Sequence, residues 1–92
     1  MVTLDEARNY LKVDTNDDDA LIEDCLNGAI RFVKDLLRVE EFKDFKKKEK
    51  ALIKVAIFYA LHFLYEGRGN ANHHDLMKTL RSLLSGIRSV EF

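Results

Sequence analysis

The sequence has no proline and no tryptophan, and it holds only four glycines and a single cysteine. Without proline, nothing in the chain forces a break in an i to i−4 hydrogen-bond ladder, and the leucine-, lysine- and glutamate-rich composition favours helices. Valine, isoleucine and threonine occur, but nowhere do they alternate with polar residues over the length of a strand. One cysteine, Cys25, excludes an internal disulfide, and with no Cys-x-x-Cys or His-x-x-x-His pair no zinc site is expected. Cys25 falls in an apolar helical stripe and is expected to be a buried thiol. The first residues, Met1-Val2-Thr3-Leu4-Asp5-Glu6, have neither the basic nor the apolar region of a signal peptide, so synthesis in a reducing cytoplasm is expected.

What is present is a chain of 92 residues, 47% apolar and 34% charged. That is one domain with a thin core, and the composition is that of a globular protein. The net charge of −1 conceals an uneven distribution. Residues 1–27 carry a net −6, and residues 28–60 carry a net +4. Solvated faces are the ordinary explanation. The alternative is that the acidic end of one copy meets the basic flank of the next.

Thr3-Leu4-Asp5-Glu6 has the form of a capping box, and Leu4, Ala7 and Leu11 follow on one face of a short helix. A polar turn, Asp14-Thr15-Asn16-Asp17, leads to a second helix that runs to about Arg38. Its core stripe is Ile22, Cys25, Leu26, Ala29, Val33, Leu36 and Leu37. Gly28 lies inside this helix, where close approach by another backbone would account for it. After a connector at 39–44, a third helix is predicted from Asp44 or Phe45 to Glu66, stopped by Gly67 and Gly69. A fourth begins near Asp75 and presents Leu76, Leu80, Leu83, Leu84 and Ile87 on one side. The expected fold class is all-α: one small domain of about four helices packed around a central apolar third helix.

The third helix is unusual. From Ala51 to Tyr65 only Lys54 and His62 are clearly polar, yet fifteen residues rise only about 22 Å, too short for a bilayer core of about 30 Å. No membrane association is expected. On a helical wheel, Leu52, Val55, Ala56, Tyr59 and Phe63 form the face expected to meet the other helices. Lys47, Lys50 and Lys54 mark the opposite face, which continues with Ile57, Phe58, Leu61 and Tyr65. Either the other helices wrap this stripe, or another molecule covers it.

Candidate chemistry fails on spacing. Asp14-Thr15-Asn16-Asp17-Asp18 opens like a calcium loop, but Asp19 and Cys25 stand where such a loop needs glycine and a bidentate glutamate. His73 and His74 are adjacent and do not converge on one metal. The neighbours of Cys25 are Glu23 and Asp24, the wrong setting for a nucleophile. No nucleophile elbow, phosphate loop or dinucleotide fingerprint occurs. No catalytic residue, metal or cofactor is therefore expected.

Taken in order, several segments resemble the small helical head–tail connector (adaptor) proteins of long-tailed bacteriophages. They are Thr3-Leu4-Asp5-Glu6-Ala7, Tyr10-Leu11-Lys12-Val13-Asp14 and Asp18-Asp19-Ala20-Leu21-Ile22, with the small-residue stretch around Ala29. Ala60-Leu61-His62-Phe63-Leu64-Tyr65-Glu66-Gly67-Arg68, Ser82-Leu83-Leu84 and Arg88 complete the likeness. Leu64 stands where the family commonly has tryptophan, and no proline precedes Arg88. Tyr65, Glu66, Arg68 and Arg88 fall on the family's recognisable positions, and the resemblance suggests that Arg68 pairs with an acid of the first or second helix.

The resemblance implies a structural virion protein at the head–tail junction, assembled in the bacterial cytoplasm. It implies a homo-oligomeric ring that docks beneath the portal after genome packaging, with a tail-completion protein below and DNA passing through the lumen. Ring contacts are heterologous, joining two different patches of one subunit. The candidate interface is Lys50, Lys54, Ile57, Phe58, Leu61 and Tyr65 on one side and Asp17, Asp18 and Asp19 on the other. The competing reading is a small helical DNA-binding or regulatory protein that uses the Lys43–Lys54 basic ridge, with sequence-independent phosphate contacts.

Overall fold

Thr3 opens the first helix in the manner its sequence predicts. Its hydroxyl accepts from the Glu6 backbone N–H at 3.1 Å, while the Thr3 N–H donates to the Glu6 carboxylate at 3.0 Å. Two donors at the helix start are thereby satisfied reciprocally. Val2, just before the cap, and Ala7, one turn in, are both buried in the core, the positions a hydrophobic staple uses. In the computed structural model, which describes residues 2–12, 19–43, 45–66 and 73–85, this helix is α1, Leu4–Leu11. It ends at Lys12 in the left-handed region (φ 59°), whose N–H returns to the carbonyls of Arg8 and Asn9.

Helix α2 spans Asp19–Leu37, α3 spans Lys47–Glu66 and α4 spans His73–Leu84; no strand occurs among the described residues. Ile22, Leu26, Ala29, Val33, Leu36 and Leu37 of α2 are buried, as their spacing requires. Cys25 departs from expectation in being half-buried. Arg38, again left-handed (φ 57°), stops α2, and its neighbour's N–H, that of Val39, reaches back to the Lys34 carbonyl at 3.0 Å. Helix α3 starts later than predicted, at Lys47. The Glu49 carboxylate accepts from the Lys46 N–H at 2.9 Å, the reaching-back half of a capping box. Leu76, Leu80 and Leu84 form the buried face of α4, with Leu83 half-buried, while Ile87 lies outside the described residues.

The core is organised about α3, whose broadest contact is with α2 and whose next is with α4. Ile53, Ala56, Ile57, Ala60 and Leu61 have no exposed surface. Alanines 56 and 60 keep that face narrow, and Ala29 and Gly28 do the same for α2, so the two helices approach closely. At Gly28 the neighbour is a side chain rather than a backbone: an added Cβ would meet Leu64 Cδ1 at 3.4 Å. That is ordinary contact. Between α2 and α3 the connector is anchored by Phe42, which is 9% exposed and lies 6.5 Å, centroid to centroid, from Phe45.

One ion pair ties α1 to α3. Lys54 Nζ donates to Glu6 Oε2 at 2.6 Å, with side chains 39% and 38% exposed. The hydrogen bond from Lys54, followed by that from the Thr3 backbone, holds the Glu6 carboxyl below its ordinary value of 4.5. A carboxyl depressed in the folded state adds stability above its unfolded pKa, and that stability is lost as pH falls through the folded value.

Three outcomes are expected from these contacts. Gly28→Ala should raise stability in urea unfolding by about 0.5–1 kcal/mol, because the space exists and the helix gains propensity. Ile57→Ala should lower it by about 2–5 kcal/mol through a cavity at the centre of the core. Glu6→Gln should flatten the loss of stability on acidification below about pH 4.5, with melting curves at several pH values as the readout.

Candidate interaction surface

Where α2 ends and α3 begins, the connector leaves an open cleft of about 690 Å³. Lys43, Lys47, Lys50 and Lys54 of the sequence-predicted ridge line it, and Lys34 of α2 joins them from the facing side. Phe42 and Ala51 supply its apolar surface, and Glu41 is the one acid among the described residues that line it. The Lys34 ammonium sits 5.5 Å from the Phe42 ring centroid, a cation–π distance. Lys54 is already partnered by Glu6. Among the described residues of the lining, lysines 34, 43, 47 and 50 therefore stand against Glu41, a positive surplus. Lys46 and Lys48 are exposed but do not line it.

A second surface lies along α3. Val55 is 51% and Tyr59 41% exposed, and Tyr10 of α1 is 43% exposed. Tyr10 stacks on Phe58 with centroids 4.7 Å apart and planes 13° from parallel, and it meets His62 edge-on at 6.2 Å. Residues 55, 58, 59 and 62 are neighbours at three- and four-residue steps, so these side chains make one aromatic and aliphatic strip. Ala51, exposed one turn earlier, joins this strip to the cleft.

Ala56 is buried as the wheel leads one to expect, but two residues on each expected face of α3 exchange places. Ile57 and Leu61, expected to present to another molecule, have 0% exposure and belong to the chain's own core. Val55 and Tyr59, expected to face the other helices, point outward. The reason is the position of α1: it lies over the lysine-bearing side, where Glu6 takes Lys54 and Tyr10 covers Phe58. Lysine stems lie along apolar surface while their ammonium groups reach outward, so lysines at the helix start do not mark a solvent face further along.

Of the other predicted residues, Phe58 and Tyr65 are half-buried and Glu66 is exposed at the last position of α3. Asp19 opens α2 and faces Arg8 of its own chain, with Oδ1 3.4 Å from Nε. Both atoms are shielded from solvent without an aligned hydrogen bond, which makes the contact one of charge. Asp17, Asp18, Arg68 and Arg88 lie outside the described residues. Lys34 and Phe42 were not singled out by sequence. Lys34 sits near the end of an amphipathic helix like any solvated lysine, and only the folding back of the connector brings Phe42 beneath it.

Among the described residues there is no cluster of three or more histidine, cysteine, aspartate or glutamate side chains able to hold a metal, and no helix long and apolar enough to cross a membrane. No curated protein and no solved structure matches the chain. A family model does, that of the phage gp6-like head–tail connector protein, over residues 1–84, which takes in all four helices. The chain belongs to the phage gp6-like head–tail connector family and is a structural protein of the virion's head–tail junction.

Proposed function

We propose that this protein acts as a ring-forming connector that docks beneath the portal after packaging, presents a platform to a tail-completion protein and lets DNA pass through its lumen. The family supplies the place of action. The observation that carries self-assembly is the strip of Val55, Tyr59 and Tyr10, which the described helices leave exposed, with Phe58 half-buried beneath Tyr10. Aromatic side chains are enriched where proteins meet, and a contiguous exposed apolar patch marks such a surface. A ring requires each subunit to offer two different patches. In this reading the α3 strip, with Lys50 beside it, is one of them, and the acidic segment from Asp17 to Asp19 belongs to the other. Ile57 and Leu61 take no part in the contact, because they hold the subunit itself together.

Negative-stain images of the purified protein, alone and mixed with the portal protein of the same phage, test the reading. Closed rings with a central channel are expected in at least one of the two samples. Val55→Asp combined with Tyr59→Asp should abolish the rings while leaving helical circular dichroism intact and monomer stability within about 0.5 kcal/mol, as for exposed sites. Rings that survive the double substitution would remove the α3 strip from the interface. Absence of rings in both samples would remove the ring.

A further inference from the structure

We infer that the lysine-lined cleft between α2, the connector and α3 is a docking site for an acidic protein segment, and that its occupant is the Asp17–Asp24 stretch of a second copy of this chain. The inference rests on the connector reading and names the partner of one of its two patches.

Charge is the first support. Lysines 34, 43, 47 and 50 face the cleft against Glu41, and Lys54 is neutralised from within by Glu6. The chain carries the complement itself: its first 27 residues have a net charge of −6. Of the acids from Asp17 to Asp24, Asp19 is engaged by Arg8, whereas Glu23 and Asp24 are exposed on α2. These lie far in sequence from the cleft lysines, and a heterologous contact joins two such unlike patches.

Shape is the second support. The lysines surround a concavity with Phe42 and Ala51 in its lining, rather than standing on a convex ridge. A duplex backbone presents evenly spaced phosphates and no apolar group, whereas the stretch from Asp17 to Asp24 also carries Ala20, Leu21 and Ile22. Ile22 is buried in its own subunit, but Ala20 is exposed and Leu21 half-buried. An acidic helix start with small apolar residues therefore fits the lining better than a phosphate chain does.

Position is the third. Ala51 borders both the cleft and the exposed α3 strip, so one neighbouring subunit can cover the two together.

A charge-swap in the full-length chain tests this. One variant carries Lys43→Glu, Lys47→Glu and Lys50→Glu; the other carries Asp18→Lys, Glu23→Lys and Asp24→Lys. Circular dichroism verifies that each is folded. In sedimentation runs up to millimolar concentration at about 0.1 M salt, where screening acts over about 10 Å, each variant alone should need at least tenfold more protein than wild type to self-associate. An equimolar mixture should recover wild-type association to within about twofold, because the reversed cleft meets the reversed segment. Carbodiimide cross-links between copies of wild type should join Lys43, Lys47 or Lys50 to Asp17, Asp18, Glu23 or Asp24.

Variants that associate like wild type, or a mixture that stays dissociated, overturn the inference. Rings in the micrographs combined with either result leave the ring standing and remove only this contact. The predicted cross-links without closed rings do the reverse. A wild type that yields no such cross-links even at millimolar concentration also overturns it. So does binding of a fluorescent 20-base-pair duplex that the lysine variant loses while wild-type copies stay unlinked, which reassigns the cleft to DNA phosphates.

Discussion

Everything in this fold depends on burying one side of α3 in a chain with little else to bury. A domain of this length hides a smaller share of its surface than larger ones do, so its core is one thin cluster gathered about a single helix face. Ile53, Ala56, Ile57, Ala60 and Leu61 are that face, and α2 and α4 pack against it. Alanines 56 and 60, one turn apart, keep the α3 face narrow, and a Cβ at Gly28 of α2 would lie at ordinary contact distance from Leu64. Three neighbours, of which only α2 approaches its length, do not reach all the way round a twenty-residue helix. The surface left over is not a packing defect but the geometric remainder of the arrangement, and it falls on Val55 and Tyr59.

Much of the fold was legible before any coordinates, and the reasons are local. The capping box at Thr3, the leucine and isoleucine spacing of α2 and the stripe of α4 depend only on residues within a turn or two of each other. The orientation of α3 was not legible, because its sequence is apolar on nearly every side and its only polar marks are lysines crowded at the start. The wheel takes those lysines as the outside, whereas α1 crosses just there and supplies Glu6 as the partner of Lys54 and Tyr10 as that of Phe58. Such a contact joins residues 48 positions apart, and no periodicity encodes it. The cleft was half visible for the same reason: five of its residues fall between Lys43 and Lys54, but Lys34 and Phe42 reach it through tertiary folding.

The functional picture has the same two levels. Family membership places the protein at the head–tail junction. The structure then separates apolar residues that hold the subunit from those that are open to neighbours. Within one helix, Ile57 serves the first purpose and Tyr59 the second, only two positions apart. This separation lets a subunit keep its core on dissociation, unlike obligate oligomers whose monomers do not stay folded.

Glu6 gives the arrangement a further property. The same carboxylate closes the first turn of α1 and neutralises Lys54 on the wall of the cleft. An eight-residue helix has little cooperativity of its own, so its first turn is among the easiest parts of the molecule to open. Each opening that withdraws Glu6 adds one positive charge to the cleft, and each anion held there by Lys54 competes with Glu6 for that ammonium and so loosens one of the contacts that hold α1 in place. Fraying at one end of the chain and charge at the centre are therefore a single equilibrium, read from two places.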